Sequence, residues 1–200
     1  NTDIYFNNTL QRVKDFYFEN HSNQTYRMAN ALKREYIPLR GQRRDVWDVV
    51  EEIGELRDQS DQDLRDAPQL WHFYQTAESL RSKGQPEAMI VAGFVHDLGK
   101  ILAKELPQWA VVGDTFPVGC AFSDKNVFPE YFQLNPDFGN LAYNTPNGVY
   151  SPGVGIENLA MSFGHDEYIY AVLGAFLPLD VAFAMRFHSF YPWHREGAYD

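Results

Sequence analysis

Residues 94–100 read FVHDLGK, so any fold this chain adopts must carry a histidine and an aspartate inside an apolar run. Phe94, Val95 and Leu98 are core residue types; His96 and Asp97 are not. An ionised carboxylate is costly to bury unless a cation or strong hydrogen bonds meet it. The fold therefore has to bring a cation or several donors to Asp97.

The surrounding pattern is helical. From Asp45, the stretch DVWDVVEEIGEL sets Val46, Val49, Val50, Ile53 and Leu56 on one face, with Asp45 as N-cap. LWHFYQTAESLRSK predicts a second helix, stopped by Gly84. Another begins at Pro86 and runs through FVHDLGK to Leu106, where Pro107 ends it. ENLAMSFGHDEYIYAVLGAF and PLDVAFAMRFHSFY predict two more. From Pro107 to about Gly155 the chain is rich in Gly, Pro, Asn and Asp. Its aromatics, Phe116, Phe122, Phe128, Tyr131 and Phe132 among them, argue for order rather than disorder. This long irregular segment is expected to wrap the helical core, with room for one small β-hairpin. The fold class is an all-α bundle, and 200 residues suit a single domain.

Charge narrows the partners. The formal net charge is -10, which disfavours nucleic acid and strongly anionic substrates. Cys120 is the only cysteine, so no intrachain disulfide forms and a reducing compartment is the simplest setting. The polar start NTDIYFNN is no secretory signal, and the apolar run YIYAVLGAFLPL falls short of the roughly 20 residues a membrane span needs. A soluble cytoplasmic protein is expected, with no membrane association. No surface stripe calls for an obligate protein partner, so a monomer is expected. No GxGxxG run announces a dinucleotide.

Four histidines, His72, His96, His165 and His188, lie inside predicted helices among apolar or aromatic neighbours. One such residue reads as a satisfied core histidine. Four of them with the His96–Asp97 pair read as imidazole and carboxylate donors suited to Zn, Fe or Mn. A cation there would compensate Asp97, whose two oxygens can bridge two ions. The alternative is one metal on His72, His96, Asp97 and one further histidine. Lys100 follows His96 by four residues and is expected on the same helix face.

A histidine, then an adjacent His-Asp pair, then later helical ligands resembles the HD-domain superfamily. The stretches HFYQTAES (72–79), HDLGK (96–100), PQWAVVGDTFPVGC (107–120), SFGHDEYIY (162–170) and FHSFYPWH (187–194) are more specific. Together, in order from about Leu10 to His194, they resemble the myo-inositol oxygenase family. The resemblance implies a single HD-type domain holding a mixed-valent Fe(II)/Fe(III) pair and no organic cofactor. The implied reaction uses O2 to cleave myo-inositol to D-glucuronate. His72, His96 and Asp97 would hold one iron. Asp97 would bridge to a second on His165 and His188. Asp166, in a second His-Asp pair, is not a ligand in the family pattern. Asp97 and Lys100 would be catalytic, Lys100 by stabilising a substrate oxygen. Substrate contacts carry over to Asp58, Gln59, Ser60, Lys100, Gly113, Asp114, His188 and Ser189. The family usually has an acidic residue where Gln59 stands. It also places an arginine near its start and a further Asp, soon followed by Lys, well beyond FHSFYPWH. Residues 1–8 hold no arginine and the chain stops at Asp200, so either native sequence past residue 200 supplies the last carboxylate or this form binds that iron poorly. The rival is a metal-dependent HD phosphohydrolase acting on nucleotides. A helical scaffold with core histidines and no metal is a more distant reading.

Overall fold

The computed structural model describes residues 2–41, 43–60 and 68–199, with side chains from residue 10 onward; Asp200 lies outside them. The α-helices are α1 (Thr2–Asn23), α2 (Tyr26–Tyr36), α3 (Val46–Gly54), α4 (Gln69–Ser82), α5 (Glu87–Val95), α6 (His165–Leu173), α7 (Leu179–Arg186) and α8 (Tyr191–His194). Short 3-10 helices supplement them, the longest spanning Leu98–Lys104. Among the described residues there is no strand. The expected hairpin reduces to one antiparallel bridge between Pro117 and Met161. The all-α expectation holds.

The chain divides into two compact units, one of residues 36–112 and 164–188, the other of residues 1–35, 113–163 and 189–200.

The first unit packs α3 to α7 around Val50, Ile53, Phe73, Val95, Leu98, Ile169 and Met185. Local signals set its early helices as the sequence predicts. The Asp45 carboxylate accepts from the Trp47 N–H at 2.8 Å and caps α3. Gly84, at φ +68°, turns the chain out of α4 in the left-handed region. Val46 sits on the expected apolar face of α3 yet is 42% exposed, so burial there begins further along the helix, at Val50 and Ile53.

Three expected helices differ. The one expected from Pro86 to Leu106 breaks at the His-Asp pair: α5 ends at Val95 and the chain tightens into the 3-10 helix from Leu98. The helix expected from Glu157 begins only at His165, because Gly164 is fully extended at φ -169° and ψ 177°. Helix α7 stops at Arg186, leaving His188 beyond its end. Of the four histidines, only His72 lies in a helix interior.

The second unit shows how the Gly- and Pro-rich segment is ordered. It is stapled by aromatic stacking and side-chain amides. His21 stacks on Phe132 at 4.0 Å and Phe122 stacks on Phe132 at 4.2 Å. The Gln24 amide donates to the Phe163 carbonyl and accepts from its N–H. Asn135 donates to the last carbonyls of α1, at His21 and Gln24, and Asp137 accepts from the first N–H of α2 at 2.6 Å. These partners satisfy helix ends that otherwise lack them.

His21 makes this unit acid-sensitive. It is buried, and its Nε2 donates to the Val127 carbonyl at 2.7 Å. Burial lowers the imidazole to about 4, against a partial rise from the Val127 bond. The unfolded imidazole titrates near 6.5, so from there down to about 4 the unfolded chain takes up a proton that the folded chain refuses. This stability is complete above about pH 6.5 and falls by about 3 kcal/mol as the pH drops to 4. His21→Gln should flatten that limb of a urea-unfolding profile against pH. An unchanged slope would place the acid sensitivity elsewhere.

Candidate metal centre

Asp97 is 2% exposed and sits where α5 gives way to the 3-10 helix. Its Oδ2 lies 3.4 Å from both His72 Nε2 and His96 Nε2. Its Oδ1 lies 3.2 Å from His165 Nε2 and 3.5 Å from His188 Nε2. The two nitrogens within each histidine pair are 3.2 and 3.1 Å apart. The donors thus fall into two groups that share one carboxylate, His72–His96–Asp97 and Asp97–His165–His188. His96, Asp97 and His165 are buried, while His72 and His188 keep 31% and 21% of their side chains exposed. Those two form the open side of the centre.

The helix breaks set the ring orientations. His96 and His188 each follow a helix end and turn Nδ1 back onto the carbonyl three residues earlier, Gly93 at 2.8 Å and Met185 at 2.7 Å. His165 opens α6 and turns Nδ1 onto the Val111 carbonyl at 2.8 Å. A carbonyl only accepts, so in each ring Nδ1 carries a proton and Nε2 is the nitrogen turned to the centre. With both Nε2 atoms deprotonated, as a metal requires, two lone pairs would face each other at 3.1 Å between His165 and His188. That arrangement is repulsive unless a cation lies between them. Donors about 2.1 Å from one ion and at right angles stand roughly 3 Å apart, so the observed spacings fit a metal in each group.

Electrostatics agree. Burial lowers His96 to about 3 even against the Asp97 charge, so it stays neutral as a ligand must. Burial alone would also lower His165, yet the Asp166 and Asp97 carboxylates raise it to about 10, which shows the pull for positive charge at that position. Burial would raise Asp97, but His96, Lys100 and hydrogen bonds from His165 and His188 hold it well below the usual range.

Lys100 is buried between two carboxylates, 2.7 Å from Asp58 Oδ2 and 2.9 Å from Asp97 Oδ2. Its expected place one α-turn after His96 is corrected. It reaches Asp97 from the 3-10 helix, three residues on. The carboxylates raise its pKa above the ordinary lysine value although burial opposes them. Ser60 donates to Asp58 Oδ1 through both its N–H, at 2.8 Å, and its hydroxyl, at 2.5 Å. Gln59 is exposed, with its N–H on the Gln108 side-chain oxygen. Gly113, Asp114 and Ser189 fall in the other unit. There Gly113 adopts φ +86°, Asp114 accepts from the Tyr17 hydroxyl at 2.8 Å, and the Ser189 carbonyl accepts from the Thr115 N–H at 3.0 Å.

Two residues near the donors escape the sequence pattern. Asp166 is buried, with Oδ1 3.0 Å from His165 Nε2 and 3.6 Å from His188 Nε2. The second His-Asp pair was its only signal. Gln69, also buried, donates to Asp97 Oδ2 at 2.6 Å and had none.

Gly99 lets the 3-10 helix approach α6. A Cβ there would meet the His165 carbonyl oxygen at 2.2 Å. Gly99→Ala must push the His165 backbone away, costing about 1–3 kcal/mol and weakening the His165–His188 group. Thermal melting and metal titration should both show the loss. An unchanged second metal-binding step would show that the backbone absorbs the methyl group elsewhere.

A sequence model of the family described as myo-inositol oxygenase matches residues 10–200. Inositol oxygenase 5 of Arabidopsis thaliana is 47% identical over 94% of this chain and 62% of its own length. The inositol oxygenases of Dictyostelium discoideum and Rattus norvegicus are 42% and 43% identical, over 97% and 95% of this chain and 70% and 68% of their own lengths. The chain spans less than two thirds of the plant relative. The matched span takes in His72, His96, Asp97, Lys100, His165 and His188 and runs through both compact units from residue 10 on, and this chain belongs to the myo-inositol oxygenase family.

Proposed function

We propose that this chain carries the centre of an enzyme that uses O2 to cleave the ring of myo-inositol to D-glucuronate. Two irons, in a mixed Fe(II)/Fe(III) state, would be held by His72, His96 and Asp97 and by Asp97, His165 and His188, with no organic cofactor. The observation that carries this reading is the pair of imidazole groups, each closed by one oxygen of Asp97. Such a metal pair, when bound, acidifies a coordinated hydroxyl and supplies the redox chemistry with O2.

The chain's own residues then orient substrate and hold charge. Lys100 stays protonated, so it is a fixed cation rather than a general base. An ammonium has three donors, and Asp58 and Asp97 take two. The third is left for a substrate oxygen. Burial would raise Asp58, yet Lys100 and Ser60 hold it ionised and in place beside that oxygen. His72 and His188, half-buried, border the open side through which substrate enters. Roles for Gln59, Gly113, Asp114 and Ser189 toward the substrate rest on the resemblance alone. Against the nucleotide phosphohydrolase reading stand the net charge of -10 and the two carboxylates that already face the Lys100 ammonium. We read the two units as parts of one domain, since the family match runs through both. Among the described residues no helix is long and apolar enough to cross a membrane. A cytoplasmic monomer is the setting we assign.

The test is anaerobic loading with Fe(II), then myo-inositol and O2. Two irons per chain and D-glucuronate formed in step with oxygen consumption are expected. Two bound irons without glucuronate, together with phosphate release from nucleotides, would overturn the reading in favour of the hydrolase.

A further inference from the structure

Gln69 is 1% exposed and opens α4, one turn before His72. Its Nε2 donates to Asp97 Oδ2 at 2.6 Å, while its Oε1 is buried with no partner among the described residues. For folding alone this is a poor choice. A leucine of similar size would fill the same space without an unsatisfied acceptor. The amide must therefore serve Asp97.

A bridging carboxylate works only if its plane is held so that each oxygen meets its own histidine pair. Lys100 gives Asp97 Oδ2 one fixed contact, from the 3-10 helix. The His165 and His188 nitrogens face the other oxygen, Oδ1, at 3.2 and 3.5 Å, so the Oδ2 end is the one a further contact can fix. Gln69 supplies a second contact to the same oxygen from a different element, α4. It does so without charge. A second lysine there would repel a cation, and a carboxylate would repel Asp97 or compete as a ligand. A neutral N–H orients the oxygen and leaves its negative charge for the metals. We infer that Gln69 is a positioning residue that fixes the Asp97 carboxylate in the orientation that joins the two metal positions. This inference rests on the two-metal reading above and deepens it.

The experiment compares wild type, Gln69→Leu and Gln69→Asn in two states. Metal-free chains are melted thermally. The same chains are then titrated anaerobically with Co(II), whose visible absorption reports binding and whose magnetism reports coupling between two ions. Metal-free Gln69→Leu should melt within a few degrees of wild type, because it loses an acceptor with no partner among the described residues as well as a donor to Asp97 Oδ2, which Lys100 still meets. It should bind Co(II) about tenfold more weakly, as loss of a hydrogen bond to a charged group implies, and the pair should be less coupled. Gln69→Asn keeps the amide on an arm one methylene shorter and should show the same loss of affinity. It decides the question if the leucine variant fails to fold. Affinity and coupling within about twofold of wild type in both variants would overturn the inference. So would a metal-free melting temperature that falls in step with affinity, the mark of a merely structural residue. Wild type that binds no Co(II) would instead overturn the two-metal reading itself.

Discussion

Asp97→Asn is expected to cost the chain both metal positions at once. An asparagine keeps the size of the side chain, so its neighbours need not move. It removes the anionic oxygens that face the two histidine pairs at 3.2–3.5 Å. An amide offers one weakly basic oxygen and cannot serve two cations. The affinity loss should exceed about a hundredfold, the upper end of what losing a partner behind a ligand costs. His72→Ala provides the contrast. It removes a donor from one group only, so one ion should still bind at Asp97, His165 and His188. Metal-to-protein ratios after dialysis against Fe(II) or Co(II) separate the cases, with close to zero ions per chain for Asp97→Asn and about one for His72→Ala. A ratio of one for Asp97→Asn would mean that the carboxylate serves a single position, as in the one-metal alternative.

That contrast bears on what was legible beforehand. The donor types were legible, because buried imidazoles and a carboxylate in apolar runs have few other uses. Helices α3 and α4 were legible from their periodicity, from the start signal at Asp45 and from the stop signal at Gly84. The breaks beside His96, before His165 and before His188 were not. The break beside His96 lies in a stretch apolar on both sides, where hydrophobic pattern carries no boundary, and those at His165 and His188 lie in mixed stretches, SFGHDEY and MRFHSFY, that read on as helix. What sets them is hydrogen bonding of the rings to the carbonyls of Gly93, Val111 and Met185. Those partners become neighbours only once the fold forms. The same holds for Gln69, 28 residues from Asp97, and for the pairing of Lys100 with Asp58. A polar residue at the start of a helix reads as an ordinary surface residue until its long-range partner is known. Lys100 shows the cost of reading helix spacing alone. Spacing put it near His96 but gave no sign of Asp58, the carboxylate 2.7 Å from its ammonium.

Lys100→Met should therefore be strongly destabilising, and it should reverse the pH response of Asp58. In the wild type one ammonium serves two carboxylates, Asp58 at 2.7 Å and Asp97 at 2.9 Å, all three side chains under a tenth exposed. Methionine fills similar space and leaves two buried anions without their cation. Breaking a buried pair by removing one partner costs about 3–5 kcal/mol. Metal loading should recover part of this, since cations near Asp97 neutralise that side, but Asp58 remains uncompensated. The sign of the pH dependence follows from Asp58. In the wild type its folded pKa lies below the unfolded value, so its contribution is present above about pH 4 and is lost as the pH falls. In Lys100→Met, burial without the ammonium raises the folded pKa above the unfolded one. The Asp58 contribution should then be greatest at low pH and decline as the pH rises through that raised value, so the deficit against the wild type, which shares the His21 limb, should grow with pH. Asp58→Asn added to Lys100→Met should restore most of the loss, because the orphaned charge has gone. Denaturant unfolding of the three chains between pH 4.5 and 8 reads both effects. A loss below about 1 kcal/mol with unchanged slope would show that water reaches Asp58 and Lys100, and that the ammonium holds neither the fold nor the carboxylates in place.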